Sequence, residues 1–238
     1  MKKLEELKVQ IFADGADKDG MMDMYSKGFI RGLTTNPTLM RKAGIRDYKA
    51  FCLDILSAIK DKPISFEVFS DEFNEMERQA MEIASWGPNV YVKIPVTNTR
   101  RECCDSLVRL LSREGVKVNV TALMTIAQVQ SVVAALDPTT PSYISVFAGR
   151  IADTGRDPLP LMSKALEVME AAPASELIWA SPRELLNIIQ ANDIGCHIIT
   201  VTNDILKKLS LIGYSLDEYS LDTVKMFHDD AVTAQFHL

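Results

Sequence analysis

Strand-like and helix-like segments alternate along this chain, and that alternation narrows the possible folds more than any other feature. Short runs rich in β-branched and aromatic residues recur at VQIFADG (9–15), FIRGLTT (29–35), ISFEVFS (64–70), VYVKIPV (90–96), VKVNVTAL (116–123), SYISVFAG (142–149), ELIWAS (176–181) and CHIITVT (196–202). Between them lie amphipathic stretches with helical spacing, such as RDYKAFCLDILSAIKD, DEFNEMERQAMEIASW and PRELLNIIQAND. Parallel strands need a crossover of about a dozen residues or more, usually a helix. Eight such units in series predict a (β/α)8 barrel of the α/β class. A doubly wound open sheet would carry a glycine-rich first turn, and FADGADKDG does not match GxGxxG. No linker, low-complexity tract or charge block divides the chain, so residues 1–238 are read as one barrel domain. Within it, SLDEYSLDTVKMFHDDAVTAQFHL (215–238) forms a C-terminal helical extension beyond the eighth unit, with apolar residues that require a partner surface.

The formal net charge of -6 provides no general attraction to nucleic acid or to an anionic membrane. Any anionic ligand must therefore be held by locally placed arginines. The start, MKKLEELKVQ, lacks the apolar run of a signal peptide, and no segment reaches the roughly 18 apolar residues of a membrane span; a cytoplasmic protein is expected. Cys52, Cys103, Cys104 and Cys196 show no CxxC spacing and are read as reduced thiols, the vicinal pair lying in the helical pattern RRECCDSLVRLL. His197, His228 and His237 are scattered, which gives little support to a histidine metal site or a Ser-His-Asp triad. Metal-independent chemistry without a cofactor is expected.

Side chains in a strand alternate between faces, so in a barrel one parity points inside. Val9, Ile11 and Ala13 share an apolar face, as do Ile64, Phe66 and Val68, then Val118 and Val120, then Ile144 and Val146. The opposite parity carries Phe12 and Asp14, Ser65 and Glu67, Asn119 and Thr121, and Tyr143, Ser145 and Phe147. By the same count Lys93 points inside with Tyr91, in a run that otherwise reads as a buried strand. An ammonium there costs several kcal/mol unless it is paired or loses its proton, which predicts a depressed pKa. Asp14, Glu67, Lys93, Asn119, Thr121, Ser145 and Ser181 are all expected at the carboxyl ends of strands, where barrel active sites are built. A desolvated lysine can attack a carbonyl to form a Schiff base, whose iminium accepts electrons from an adjacent carbon–carbon bond. Such chemistry needs a base at the sugar hydroxyl and a second group to manage water at the carbinolamine; Asp14 and Glu67 are available for these two tasks.

The motifs GLTTNPTL (32–39), YVKIPVT (91–97), VNVTALMT (118–125), VFAGRIADTGRDP (146–158) and WASPRE (179–184), with the aspartate of FADGA, are specific. Through them nearly the whole chain resembles the transaldolases, in the short-chain subgroup related to the fructose-6-phosphate aldolases. The resemblance implies that Lys93 is the Schiff-base lysine, Asp14 the acid/base for carbon–carbon cleavage, and Glu67 and Thr121 the pair holding the catalytic water. It implies that Asn36 and Asn119 bind hydroxyls of a dihydroxyacetone unit and that Thr34 is a further substrate-binding residue. Ser145 or Ser181, with Arg150 and Arg183, match the phosphate pocket. Asn36–Pro37 also reads locally as a helix cap. Glu67 and Phe147 match transaldolases, whereas the aldolases carry glutamine and tyrosine; the implied reaction is transfer between sugar phosphates, with release of free dihydroxyacetone as the alternative. Pro182, between Ser181 and Arg183, departs from many relatives and restricts the backbone of Ser181. Members of this family form rings or dimers, so a homo-oligomer is expected.

Overall fold

The computed structural model describes residues 4–237; Met1–Lys3 and Leu238, which the expected domain span includes, lie outside the described residues. Eight strands pair in chain order into a closed barrel, β1 (Gln10–Asp14), β2 (Ile30–Thr34), β3 (Ile64–Glu67), β4 (Val90–Pro95), β5 (Val118–Leu123), β6 (Ser142–Val146), β7 (Ser175–Trp179) and β8 (Ile198–Thr202). Every pairing is parallel, including β8 on β1. The helices are α1 (Lys18–Ser26), α2 (Pro37–Lys42), α3 (Tyr48–Ala58), α4 (Phe73–Ala84), α5 (Asp105–Arg113), α6 (Ile126–Ala135), α7 (Ala148–Ala152), α8 (Leu159–Met169), α9 (Leu186–Asp193), α10 (Asn203–Leu206) and α11 (Leu216–Thr233). The (β/α)8 barrel read from the sequence is therefore the fold.

Local chemistry starts several helices where the chain leaves a strand. The Asp17 carboxylate accepts from the Gly20 N–H at 2.8 Å to open α1. Asn36 accepts from the Leu39 N–H at 3.0 Å, with Pro37 as the first residue of α2. Thr125 and Gln128 form a reciprocal capping box at α6. The vicinal cysteines are a correction: both precede α5, with Cys104 at its N-cap and Cys103 bridged to Thr97. All four cysteines are free, and of these only Cys103 is exposed.

The parity argument holds. The helix-facing cluster contains Ile11, Ala13, Ile64, Phe66, Val68, Val118, Val120, Ile144 and Val146. A separate interior cluster is built from Phe12, Tyr91, Tyr143, Ile178, Ala180 and Ile198, with Phe147 packed against it. Tyr91 stacks on Tyr143 at 3.9 Å between centroids, and Phe12 meets Tyr143 edge-on at 5.8 Å. This aromatic plug fills the barrel beneath the polar residues of the upper layer. It fits because β2 offers Gly32 beside Phe12, where an added Cβ would lie 2.5 Å from the ring. Two placements differ from expectation: Asn119 is the second residue of β5 rather than at its carboxyl end, and β7 stops at Trp179, so that Ser181 lies two residues beyond it with φ 58. Its carbonyl instead presses on Gly149, where a Cβ would come within 1.5 Å.

Outside the barrel, α11 contributes no buried residue and leaves Leu216, Tyr219, Val224, Phe227 and Val232 exposed. No helix among the described residues is long and apolar enough to cross a membrane.

Gly32→Ala should destabilise the fold by roughly 1 to 3 kcal/mol, as overpacking a filled core does. Urea unfolding measures this; an unchanged midpoint would mean that Phe12 yields freely.

Candidate active site

Lys93 is the fourth residue of β4 and is 7% exposed. Its Nζ donates to the Thr35 carbonyl at 3.1 Å and stands 3.6 Å from Oε2 of Glu67. Register puts Glu67 of β3 and Asn119 of β5 opposite Lys93 on its two sides. Across the barrel mouth, Asp14 at the end of β1 accepts from the Thr34 hydroxyl at 2.8 Å. Burial pushes the Asp14 carboxyl above its ordinary range, against the opposing pull of Lys93 and of the Thr34 hydroxyl. Burial does the same to Glu67, with Lys93 pulling it down and the charge of Asp14 pushing it further up. Two carboxyls thus compete for one lysine in a poorly solvated space.

The interior polar residues of β3, β5 and β6 are wired together. Ser145 donates to Oδ1 of Asn119 at 2.7 Å, and the Asn119 amide donates to the Ser65 hydroxyl at 3.0 Å. Ser65, Asn119 and Ser145 are all buried, so the Asn119 side chain is held in one orientation. Thr121 is level with Pro95 of β4, and its buried hydroxyl has no protein partner, which leaves it free for a water or a substrate. The next residue, Ala122, has φ 65, and β5–β6 register shifts there. A left-handed alanine is the kind of backbone strain found at functional sites.

The rim is different in character. Phe147 caps the interior cluster, and the Arg150 guanidinium lies 5.9 Å from its ring centroid. Arg183 grips Asp153 with a forked pair of hydrogen bonds, Nε to Oδ1 at 2.9 Å being one. The Arg183 guanidinium, helped by Arg150, holds the Asp153 carboxyl below its ordinary range. Arg183 thus grips the rim carboxylate of Asp153 directly while the charge of Arg150 acts on it from further off, with Ser181 two residues before Arg183 and pressed on Gly149. Ser145 is not part of that group, since it lies inside the barrel on Asn119. The Asn36 side-chain oxygen is committed to capping α2.

Lys93, Glu67, Asp14 and Thr34 are thus brought together, Asn119 and Ser145 are joined beside them, and Phe147, Arg150, Ser181 and Arg183 line the β6–β7 side of the mouth. Three participants escaped the sequence: the Thr35 carbonyl, Asp153, and Tyr48, whose hydroxyl bonds the backbone of Glu67. None had a readable signal, since a backbone carbonyl has no residue type and the other two lie on or beside helices. A cavity of about 290 Å³ opens beside Asp14, lined also by Gly15, Asp17, Thr202 and Asn203. Another, about 550 Å³, lies at the far end of the barrel around Leu4, Leu7, Phe29 and Arg31, away from these groups. Among the described residues no three His, Cys, Asp or Glu side chains group to hold a metal ion.

The raised carboxyls have a consequence for stability. A folded pKa above the unfolded one means that the folded state binds the proton more tightly, so stability falls as pH rises from the ordinary carboxyl range through the raised value. Asp14→Asn and Glu67→Gln each remove that loss while leaving Lys93 one carboxylate partner. Each should melt above the wild type at pH 8, with the gap closing as the pH falls towards 4; scanning calorimetry across that range checks it, and variants melting below the wild type at pH 8 would contradict it.

The fold is shared with remote proteins: KGPDC from Streptococcus mutans superposes with a TM-score of 0.59 at 11% identity, over 84% of this chain and 90% of that one. Closer likeness lies in sequence. The chain is 34% identical over 202 residues to "Probable transaldolase" of Dehalococcoides mccartyi, covering 84% of this chain and 90% of that protein. It is 34% identical over 216 residues to the protein of the same name from Streptococcus agalactiae serotype V, covering 90% and 95%. The family model for Transaldolase/Fructose-6-phosphate aldolase matches residues 11–238, a span that holds the lysine, both carboxyls and the rim arginines. The chain belongs to the transaldolase/fructose-6-phosphate aldolase family.

Proposed function

We propose that this chain is a transaldolase, moving a dihydroxyacetone unit from a ketose phosphate to an aldose phosphate through a Schiff base on Lys93. The observation that carries the reading is the buried Lys93 amine 3.6 Å from Glu67, facing Asp14 across the barrel mouth. Free Nζ adds to the C2 carbonyl of fructose 6-phosphate or sedoheptulose 7-phosphate. Glu67, through a water held with the unpartnered Thr121 hydroxyl, supplies the proton with which the carbinolamine oxygen departs as water. Asp14 takes the proton of the C4 hydroxyl. The C3–C4 bond breaks, its electrons pass into the iminium, and an enamine remains as the aldose leaves. Glyceraldehyde 3-phosphate or erythrose 4-phosphate then adds, Asp14 returns its proton to the new alkoxide, and water hydrolyses the product imine.

The other residues have positioning tasks in this scheme. Asn119, fixed by Ser145 and Ser65, and Thr34 and Asn36 hold the hydroxyls of the three-carbon unit. Arg150 and Arg183, with Ser181, receive the phosphate, for which an arginine fork suits a dianion. Phe147 has no hydroxyl to protonate the enamine, which favours transfer over release of free dihydroxyacetone. The exposed apolar residues of α11 are covered by a second copy of the chain in a cytoplasmic homo-oligomer, because a helix that buries nothing gains no stability from packing.

Incubation with fructose 6-phosphate and borohydride should add a reduced three-carbon unit to Lys93, read by intact mass and peptide mapping. No adduct on the wild type, or an undiminished one on Lys93→Ala, rejects the Schiff base. In a coupled assay, glyceraldehyde 3-phosphate should form quickly from fructose 6-phosphate only when erythrose 4-phosphate is present. Phe147→Tyr should raise acceptor-independent release by as much as ~100-fold, the usual scale of general acid help. Equal wild-type rates with and without acceptor would assign the chain to aldolase activity instead.

A further inference from the structure

Parallel neighbours in a barrel satisfy each other's backbone groups, and at the carboxyl end of β3 one neighbour is missing. The N–H and C=O of a strand residue point to the same side. Ser65 and Glu67 share a parity, and the Ser65 carbonyl accepts from the Thr35 N–H at 3.4 Å, so both residues present their backbone groups to β2. The β2–β3 ladder ends at Thr34↔Ser65. Beyond it the chain turns at Asn36 into α2, led by Pro37. On the other side, towards β4, pairing continues through Glu67↔Lys93, and the Val68 N–H donates to the Lys93 carbonyl at 3.1 Å. Glu67 therefore stands at a half-open seam.

Tyr48, in the first turn of α3, closes that seam. Its hydroxyl accepts from the Glu67 N–H at 2.8 Å and donates to the Glu67 carbonyl at 2.7 Å. One hydroxyl thus replaces both backbone partners that β2 withholds. The phenol ring is fixed in turn, edge-on to Phe69 at 5.2 Å and tilted against Trp86 at 6.4 Å. Gln79 of α4 pins the following loop by accepting from the Phe69 and Ser70 N–H groups at 2.9 and 3.2 Å. Sugar chemistry has no direct use for Tyr48: its oxygen is spent on the backbone.

We propose that Tyr48 is a positioning residue for Glu67, substituting its hydroxyl for the absent β2 strand so that the carboxylate is aimed at Lys93. The proposal rests on the reading of Glu67 as the group that manages water at the carbinolamine. It locates the required precision outside the barrel, on a helix, and it makes imine formation the step that Tyr48 governs.

The test is a double-mutant cycle on single-turnover imine formation, trapped by borohydride with fructose 6-phosphate and followed by intact mass. Tyr48→Phe keeps the ring and should slow trapping by about tenfold, since small misplacements of a reacting group are felt on that scale or above. In a Glu67→Ala background it should have no further effect, because there is no carboxylate left to aim. Trp86→Phe loosens the same aromatic cluster without touching Glu67; it should lower the melting temperature and leave trapping unchanged. Normal trapping by Tyr48→Phe, the same slowing on top of Glu67→Ala, or equal slowing by Trp86→Phe would each overturn the proposal while Glu67→Ala remains slow. If Glu67→Ala itself traps at the wild-type rate, the assigned role of Glu67 fails, and the positioning role of Tyr48 falls with it.

Discussion

The lysine amine at the centre of this barrel, surrounded by strands and facing two carboxyls, sets the terms for the groups around it. Lys93 is covered almost completely, so its nitrogen must find polar company inside the protein. The Thr35 carbonyl and Glu67 supply it at 3.1 and 3.6 Å. With Asp14 also in the field, the site holds more negative than positive capacity, and burial lifts both carboxyls towards their protonated forms. An arrangement built for stability alone would stop at one carboxylate. Acid/base groups whose protons move easily are what the proposed carbinolamine formation and bond cleavage would require.

Such a site works only if water is admitted selectively and the floor is solid. The Tyr91–Tyr143–Phe12 plug provides the floor, and Gly32 makes room for it. Above the plug, polar side chains restrain one another in a chain of buried hydrogen bonds from Ser145 through Asn119 to Ser65. A buried amide satisfied from both ends has one orientation. The unsatisfied Thr121 hydroxyl in the same layer is the exception, and the proposed function uses it to hold a water.

The rim follows a different logic, because charges there face solvent. Arg183 is pre-positioned by Asp153 and Arg150 by the Phe147 face, so under the proposed function neither guanidinium would have to be immobilised from a free rotamer ensemble to receive a phosphate dianion. The close approach of the Ser181 carbonyl to Gly149 joins the β6 and β7 loops, so both arginines are carried on a single connected structure.

Much of this was determined by the sequence on its own. Alternation along a strand is set by local stereochemistry, so the inward parity of Asp14, Glu67, Lys93, Asn119, Thr121 and Ser145 was readable without coordinates, as was the Asn36–Pro37 cap. The eightfold repeat implied closure for a similar reason, since each unit carries its own crossover. What tertiary structure alone decided are meetings between segments far apart in the chain. Ser181 left its strand for a left-handed backbone because its carbonyl packs against a glycine 32 positions earlier. Cys103 and Cys104 fell outside α5 because that segment is drawn back to pair with the end of β4, the Cys104 N–H bonding the Val96 carbonyl at 3.1 Å. Tyr48 reached Glu67, and Arg183 reached Asp153, only once the barrel had closed. Periodicity reports which way a side chain points; closing the barrel brings its partner within hydrogen-bonding distance, and no local pattern encodes that distance.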